Sequence, residues 1–285
     1  MLRNVTRTFG RRLRVNPRKR VRYGTTHFGY EQVDEEEKES RVHQVFSSVA
    51  RNYNLMNDVM SAGVHRLWKD EFVRRLAPTS DATFLDVAGG TGDIAFRILQ
   101  YQKLEQEKNR SRSDSVKPRI TVCDINHEML AEGARISIDR GYSSGISWIC
   151  GDAEKLPVCD NSVDAYTIAF GIRNVTHLDK ALQEAFRVLT DGGRFMCLEF
   201  SHMTNAMLER LYDVYSFEVI PIFGEIFARD RQSYEYLVES IRMFPAQEEF
   251  ADMIRNAGFS CIRYENFSSG IVAIHSGFKL QAPLA

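Results

Sequence analysis

From residue 83 onward the chain alternates short apolar runs with longer stretches whose apolar residues recur at helical spacing. The runs are TFLDV (83–87), RITVCD (119–124), ISWICG (146–151), VDAYTIAF (163–170) and GRFMCLEF (193–200). Their brevity and their β-branched and aromatic content predict strands. The segments between them are long enough for a crossover helix, which implies parallel pairing in an α/β sheet. A sixth stretch, SCIRYENFSSGIVAIHSGF (260–278), differs: a short Ser/Gly turn separates two alternating runs, so it predicts an antiparallel hairpin closing the sheet edge. Upstream, residues 41–76 predict a helical region. Together these predict a mainly parallel seven-stranded sheet that ends in an antiparallel hairpin, preceded by N-terminal helices.

Two segments break the alternation. Residues 101–118, YQKLEQEKNRSRSDSVKP, are charged and lack apolar periodicity, so they read as a surface insertion. Residues 203–245 separate the fifth strand from the next helix and are rich in Tyr, Phe and Met, too apolar for a solvated loop. Two readings of this second segment stand, a helical lid over a site or padding for the core.

Charge divides the chain unevenly. Of 37 basic residues, nine fall within the first 30 positions, which hold no Asp or Glu; the remaining 28 face all 38 acidic residues. MLRNVTRTFGRRLRVNPRKRVRYG is Arg-rich and acid-free with apolar residues interspersed, the composition of a mitochondrial presequence, and it lacks the apolar stretch of a secretory signal. A basic arm for nucleic acid and a disordered tail compete with that reading, but the acidic remainder would repel a polyanion. The expected organisation is a targeting segment over 1–30, an acidic linker beginning EQVDEEEKES, and one domain through 285, with no nucleic-acid partner. No apolar run approaches the roughly 20 residues that span a bilayer. The five cysteines lack CxxC spacing and mostly sit in or near apolar runs, so they read as small core residues rather than ligands of a zinc ion.

The candidate chemistry starts at FLDVAGGTGDIAF (84–96). A P-loop would need a Lys after the last glycine, and a dinucleotide loop would read GxGxxG; Gly89, Gly90 and Gly92 fit neither. Asp93, directly after them, would repel a pyrophosphate on the helix N-terminus and suits a ligand that carries an ammonium group. The run DVAGGTGD resembles motif I of class I S-adenosyl-L-methionine (AdoMet) methyltransferases, a Rossmann-like fold, with Asp86 at the acid position and Ala88 in place of the first glycine. That resemblance wraps the loop around the methionine part of AdoMet, with backbone N–H groups near Thr91 meeting the carboxylate and acids meeting the ammonium. Asp124, ending the second strand, is placed for the ribose hydroxyls, and Asp152 with Ala153, after the third, for adenine. Taken singly these aspartates read as turn or cap residues; in order at successive strand ends they read as one cofactor site.

The fourth strand ends in FGIRNV rather than the Asp-Pro-Pro-Tyr type of sequence used for adenine or glutamine acceptors, and no Pro-Cys pair points to cytosine. YNLMNDVMSAGVHRLW (53–68), FGIRNV (170–175), RVLTDGGRFMCLEFS (187–201) and AGFSCIRYENFSSGIVAIHSGF (257–278) are similar to the ubiquinone and menaquinone biosynthesis C-methyltransferase family. The similarity runs from about residue 42 to 279, and Ala88 is usual in that family. The chain departs from its pattern at Asn54, where Asp is usual, and at Thr190-Asp191, where Lys-Pro is usual. The resemblance implies methylation of a ring carbon of a polyprenyl-methoxy-benzoquinol, without a metal. It implies Arg173 stabilising a phenolate or holding a water, Asn174 orienting a ring oxygen, and Tyr53 lining the same pocket. With the presequence it implies a protein of the mitochondrial matrix, peripheral to the inner membrane, in a multi-subunit ubiquinone-synthesis complex and able to form a homodimer. Residues 203–245 would then be a lid for the polyprenyl tail. Another lipophilic phenol or sterol as acceptor, and a mainly scaffolding subunit, remain as alternatives.

Overall fold

The computed structural model describes residues 24–49, 57, 58, 61, 63–108, 119–142, 144–203 and 231–281. Tyr53, residues 1–23, residues 109–118 of the expected insertion and residues 204–230 of the second apolar segment lie outside the described residues.

The chain enters through a small hairpin, β1 (Thr25–Phe28) and β2 (Glu31–Asp34), paired antiparallel across residue 30, where the targeting segment was expected to end. Helix α1 (Glu35–Val49) follows at once. The acidic stretch expected as a linker is therefore a strand and the first turn of a helix. Glu35, Glu36 and Glu37 occupy that turn, where the positive end of the helix dipole favours them. Helix α2 (Val64–Leu76) completes the N-terminal helices and buries Trp68, Phe72 and Val73.

The central sheet consists of β3 (Thr83–Val87), β4 (Arg119–Asp124), β5 (Ile146–Cys150), β6 (Val163–Ala169), β7 (Leu189–Phe200), β8 (Ser260–Phe267) and β9 (Val272–Phe278), in the spatial order β5-β4-β3-β6-β7-β9-β8. The first five are parallel; β9 runs antiparallel to both β7 and β8. The hairpin thus folds its second strand against β7 and leaves β8 at the edge. Helices α3 (Asp93–Lys108), α4 (His127–Asp139) and α5 (Leu178–Val188) are the crossovers, and α6 (Arg231–Met243) and α7 (Gln247–Asn256) lead into the hairpin.

Alternation along each strand sends side chains to two cores, one on each face. In β3, Phe84 packs with Phe72, Ile98, Ile120 and Met196, while Leu85 and Val87 pack with Tyr166, Leu182, Phe195 and Phe250. Each such side chain, fully buried, contributes about 1.5–3 kcal/mol.

Three expectations need correction. Helix α3 continues to Lys108, through the first eight residues of the segment expected to be an irregular insertion; Leu, Gln, Glu and Lys are strong helix formers, and Lys108 pairs with Glu105. Strand β7 begins at Leu189 rather than at Gly193, with a register shift between Val163 and Ala165 of its partner. Only Cys123 and Cys197 are buried; Cys150, Cys159 and Cys261 are exposed, because they lie on an edge strand, in a loop and on the other edge strand. All five are free thiols. Among the described residues no helix is long and apolar enough to cross a membrane.

Candidate active site

Strand order reverses between β3 and β6, so the loops that follow them diverge to opposite sides of the sheet and leave a crevice at their carboxyl ends. A cavity of about 490 Å³ opens there, lined by the glycine loop, the ends of β4 to β6 and one face of α1. Its size falls within the range of small-molecule sites.

The glycine loop needs its glycines for space and for backbone conformation. A Cβ on Gly89 would lie 2.7 Å from Val122 Cγ1 and 2.8 Å from Asp86 Oδ2. Gly90 and Gly92 take φ of 54° and 82°, the left-handed region that other residues avoid. Ala88 takes φ of 49° and Phe170 takes 58°, two strained non-glycine residues facing the same crevice. A Cβ on Gly171 would lie 2.4 Å from the Ala88 Cβ, so the loops after β3 and β6 are pressed together. Thr91 is buried and lines the cavity.

Asp124 is held by the loop it serves. Gly90 N–H donates to its Oδ2 at 2.8 Å and Asn126 N–H to its Oδ1 at 2.8 Å, leaving each oxygen further lone-pair capacity toward the cavity. Burial pushes its carboxyl up from the ordinary range, and the backbone donors oppose that shift. Asp152 follows β5, accepts from the Glu154 N–H at 2.9 Å, and lines the same wall as Ala153. The expected cofactor residues Asp86, Gly89, Gly90, Thr91, Gly92, Asp124, Asp152 and Ala153 come together here, except that Gly92 stands behind the lining against Trp148.

The two loop acids differ. Asp86 is fully buried; Thr167 Oγ1 donates to its Oδ1 at 2.8 Å, and its Oδ2 has no hydrogen-bond partner. Burial pushes its carboxyl up to about 7. Asp93, read from sequence as a free carboxylate for an ammonium ligand, is not free. It accepts from Lys69 Nζ at 2.8 Å and Arg97 Nε at 3.1 Å, and these cations outweigh burial and hold it at about 2. The acid available to a cation is Asp86. An orphaned buried carboxylate oxygen, a loop cradle that a Cβ would fill and open acceptors on Asp124 fit the charge and hydroxyls of AdoMet.

The opposite wall is the 3-10 turn Ile172–Asn174 after β6. Asn174 lines the cavity, and its Oδ1 accepts from Tyr236 Oη of α6 at 2.9 Å. Tyr236 in turn stacks on Phe28 of the entry hairpin, with ring centroids 4.0 Å apart. Arg173, expected at the chemistry, does not line the cavity. Its Nη1 donates to Phe170 O at 2.6 Å and to Glu199 Oε1 at 2.8 Å, with the Arg173 side chain 4% and the Glu199 side chain 1% exposed. Burial raises the Glu199 carboxyl and Arg173 lowers it. The pair clamps the turn that presents Asn174. Tyr53, the third expected residue, lies outside the described residues.

Sequence reasoning missed the roof. Val42, His43 and Phe46 of α1 cover the cavity, and polar contacts fasten both ends of that helix. At one end His177 bridges Glu154 (2.7 Å) and Glu35 (3.2 Å), and Lys38 donates to Val175 O at 3.1 Å. At the other, Asn126 Nδ2 donates to Ser47 Oγ at 2.9 Å. Glu199 was also missed, although a lone glutamate inside the apolar run FMCLEF was a visible signal. Among the described residues no group of His, Cys, Asp and Glu is arranged to hold a metal ion.

A model of the ubiE/COQ5 methyltransferase family matches residues 34–279. The chain belongs to that family. It is 53% identical over 277 residues to the mitochondrial 2-methoxy-6-polyprenyl-1,4-benzoquinol methylase of Xenopus laevis, covering 90% of this chain and 89% of that one. To the human protein of the same name it is 54% identical over 280 residues, covering 91% and 86%. A SAM-dependent methyltransferase from Thermotoga maritima shares the fold, with a TM-score of 0.55 at 20% identity over 83% of this chain and 98% of that chain. The protein is an AdoMet-dependent methyltransferase with a class I, Rossmann-like fold. The crevice at β3 and β6 is its candidate cofactor cavity.

Proposed function

We propose that this methyltransferase transfers the methyl group of AdoMet to a ring carbon of a reduced polyprenyl-methoxy-benzoquinol in ubiquinone biosynthesis. The observation that carries the reading is the identity of 53% and 54% to relatives named as that methylase, extending over about nine-tenths of the chain and well beyond the cofactor loop. The site supports it with a cofactor wall at β3 to β5 and a separate wall, built on Asn174, on the other side of the switch point.

AdoMet supplies an electrophilic methyl group on a sulfonium. Asp124 would hold the ribose, Asp152 and Ala153 the adenine end, and the orphaned Asp86 oxygen the ammonium. The quinol ring carbon must be made nucleophilic, and ionising the neighbouring phenol, with an ordinary pKa near 10, does so. Asn174 directs its Oδ1 to Tyr236 and so leaves its amide N–H donors for a ring oxygen as negative charge grows there. Arg173 acts as a positioning residue, fixing the turn through Glu199. Transfer would form the ring carbon to methyl bond as the methyl–sulfur bond breaks and its electron pair returns to sulfur, leaving the neutral thioether S-adenosylhomocysteine, and the ring hydrogen would leave to water as a proton.

The same reading places the protein in mitochondria, as the names of its relatives do for them, on the matrix face of the inner membrane, where an insoluble tail has to be met. Membership of a multi-subunit complex for quinone synthesis belongs to this proposal, as does a substrate-covering role for residues 203–245, whose helix α6 reaches Asn174 through Tyr236.

Purified full-length protein incubated with methyl-deuterated AdoMet and a reduced short-tailed methoxy-benzoquinol tests the function. Label on a ring carbon of the reduced but not the oxidised substrate is expected. Binding of AdoMet with label on oxygen, or with no transfer, would overturn the assignment.

A further inference from the structure

Lys69 lies on α2, remote in sequence from the glycine loop, yet its side chain lines the cofactor cavity. Only 5% of the residue is exposed. Its ammonium makes one hydrogen bond, to Asp93 Oδ2 at 2.8 Å, and sits 5.9 Å over the Phe170 ring. An ammonium has three donors, so most of its capacity is open to the cavity. Asp93 also pairs with Arg97, which has a second carboxylate partner in Asp70, so the spare capacity of Lys69 lies in its donors. A buried cation with spare donors at the wall of a ligand site calls for an anion. Asp93 begins the 16-residue helix α3, whose N-terminal N–H groups add positive potential at the same end of the cavity.

AdoMet carries one anionic group, the carboxylate of its methionine end. We propose that Lys69 binds that carboxylate and thereby selects ligands that keep it. The amino-acid end of the cofactor is then read by two opposite charges, Lys69 for the carboxylate and the orphaned Asp86 oxygen for the ammonium. Asp93 supports the first of these by fixing the ammonium in place, not by contacting the cofactor.

Calorimetric titration of the full-length protein with AdoMet and with decarboxylated AdoMet, which keeps the ammonium and sulfonium, tests this without reference to turnover. Wild type should bind AdoMet about 30-fold more tightly, as expected for a charge-assisted hydrogen bond of roughly 2 kcal/mol. Lys69→Met should bring the two ligands within about threefold of each other by weakening AdoMet alone, and Lys69→Arg should retain most of the preference. Thermal unfolding of each unliganded variant reports whether the fold is kept. Equal affinity of wild type for both ligands would overturn the proposal, whatever the variants do. So would an equal loss of both ligands in a folded Lys69→Met, which would make the residue a structural partner of Asp93.

Discussion

The two walls of the cavity are built differently. The proposed cofactor wall is made by consecutive strand ends, with backbone N–H groups from Gly90 and Asn126 fixing Asp124 and glycines clearing space. The proposed acceptor wall is stitched from remote segments: Tyr236 of α6 reaches Asn174, Phe28 of the entry hairpin supports Tyr236, and Glu199 of β7 anchors Arg173. A wall made from one supersecondary pattern announces itself in sequence and depends on local backbone. A wall made from distant side chains is fixed by packing, and its members can be removed one at a time to test whether they affect the cofactor.

The sharpest break in the second wall is Glu199→Gln, which leaves the Arg173 charge buried without its counter-ion. Equilibrium urea unfolding should show a loss of about 3–5 kcal/mol. Where the variant remains folded, AdoMet affinity should be near that of wild type. In the first wall, Asp124→Ala removes the proposed acceptors for both ribose hydroxyls, and calorimetry should record about 100-fold weaker AdoMet binding, with some loss of stability from the unpaired Gly90 and Asn126 N–H groups.

Asp86 gives a pH signature confined to the cofactor wall. Its carboxyl titrates near 7 in the free protein, and a bound ammonium favours the ionised form. AdoMet affinity is therefore full above pH 7 and falls as pH drops through 7, by up to about tenfold per unit. Titrations from pH 8 to 5.5 should show that slope, and Asp86→Asn should flatten it. The smallest effect sharpens the comparison most. Tyr236→Phe keeps the ring stacked on Phe28 and deletes one donor to Asn174, so single-turnover methyl transfer should slow about fivefold.

How much of this could be read from the chain follows the same division. Asp86, Gly89, Gly90, Asp124 and Asp152 were legible because strand, turn and helix follow one another in a fixed rhythm, and the parallel sheet with its hairpin was legible for the same reason. Glu199 and Tyr236 were not, because pairing β7 with the turn after β6, and α6 with the entry hairpin, is a tertiary matter that no local spacing reports. Asp93 shows the limit within the legible half: its position was read correctly, but its charge is taken up by Lys69 and Arg97, one of them from a helix that precedes the whole α/β pattern. The roof was missed for the same tertiary reason, since Val42, His43 and Phe46 lie in a region expected to be helical but nothing local reports that α1 packs over the crevice; the glutamates that open α1, read as linker, are its favoured first turn.

The most direct test of two separable walls is to measure AdoMet affinity and single-turnover transfer to the reduced quinol in the same preparations of wild type, Asp124→Ala and Tyr236→Phe. The account predicts a crossed pattern. Asp124→Ala loses affinity for AdoMet but transfers the methyl group at a rate close to wild type once saturated, whereas Tyr236→Phe binds AdoMet normally and transfers slowly. Weakened AdoMet binding in Tyr236→Phe comparable to that in Asp124→Ala would contradict it, since the two walls would then be one.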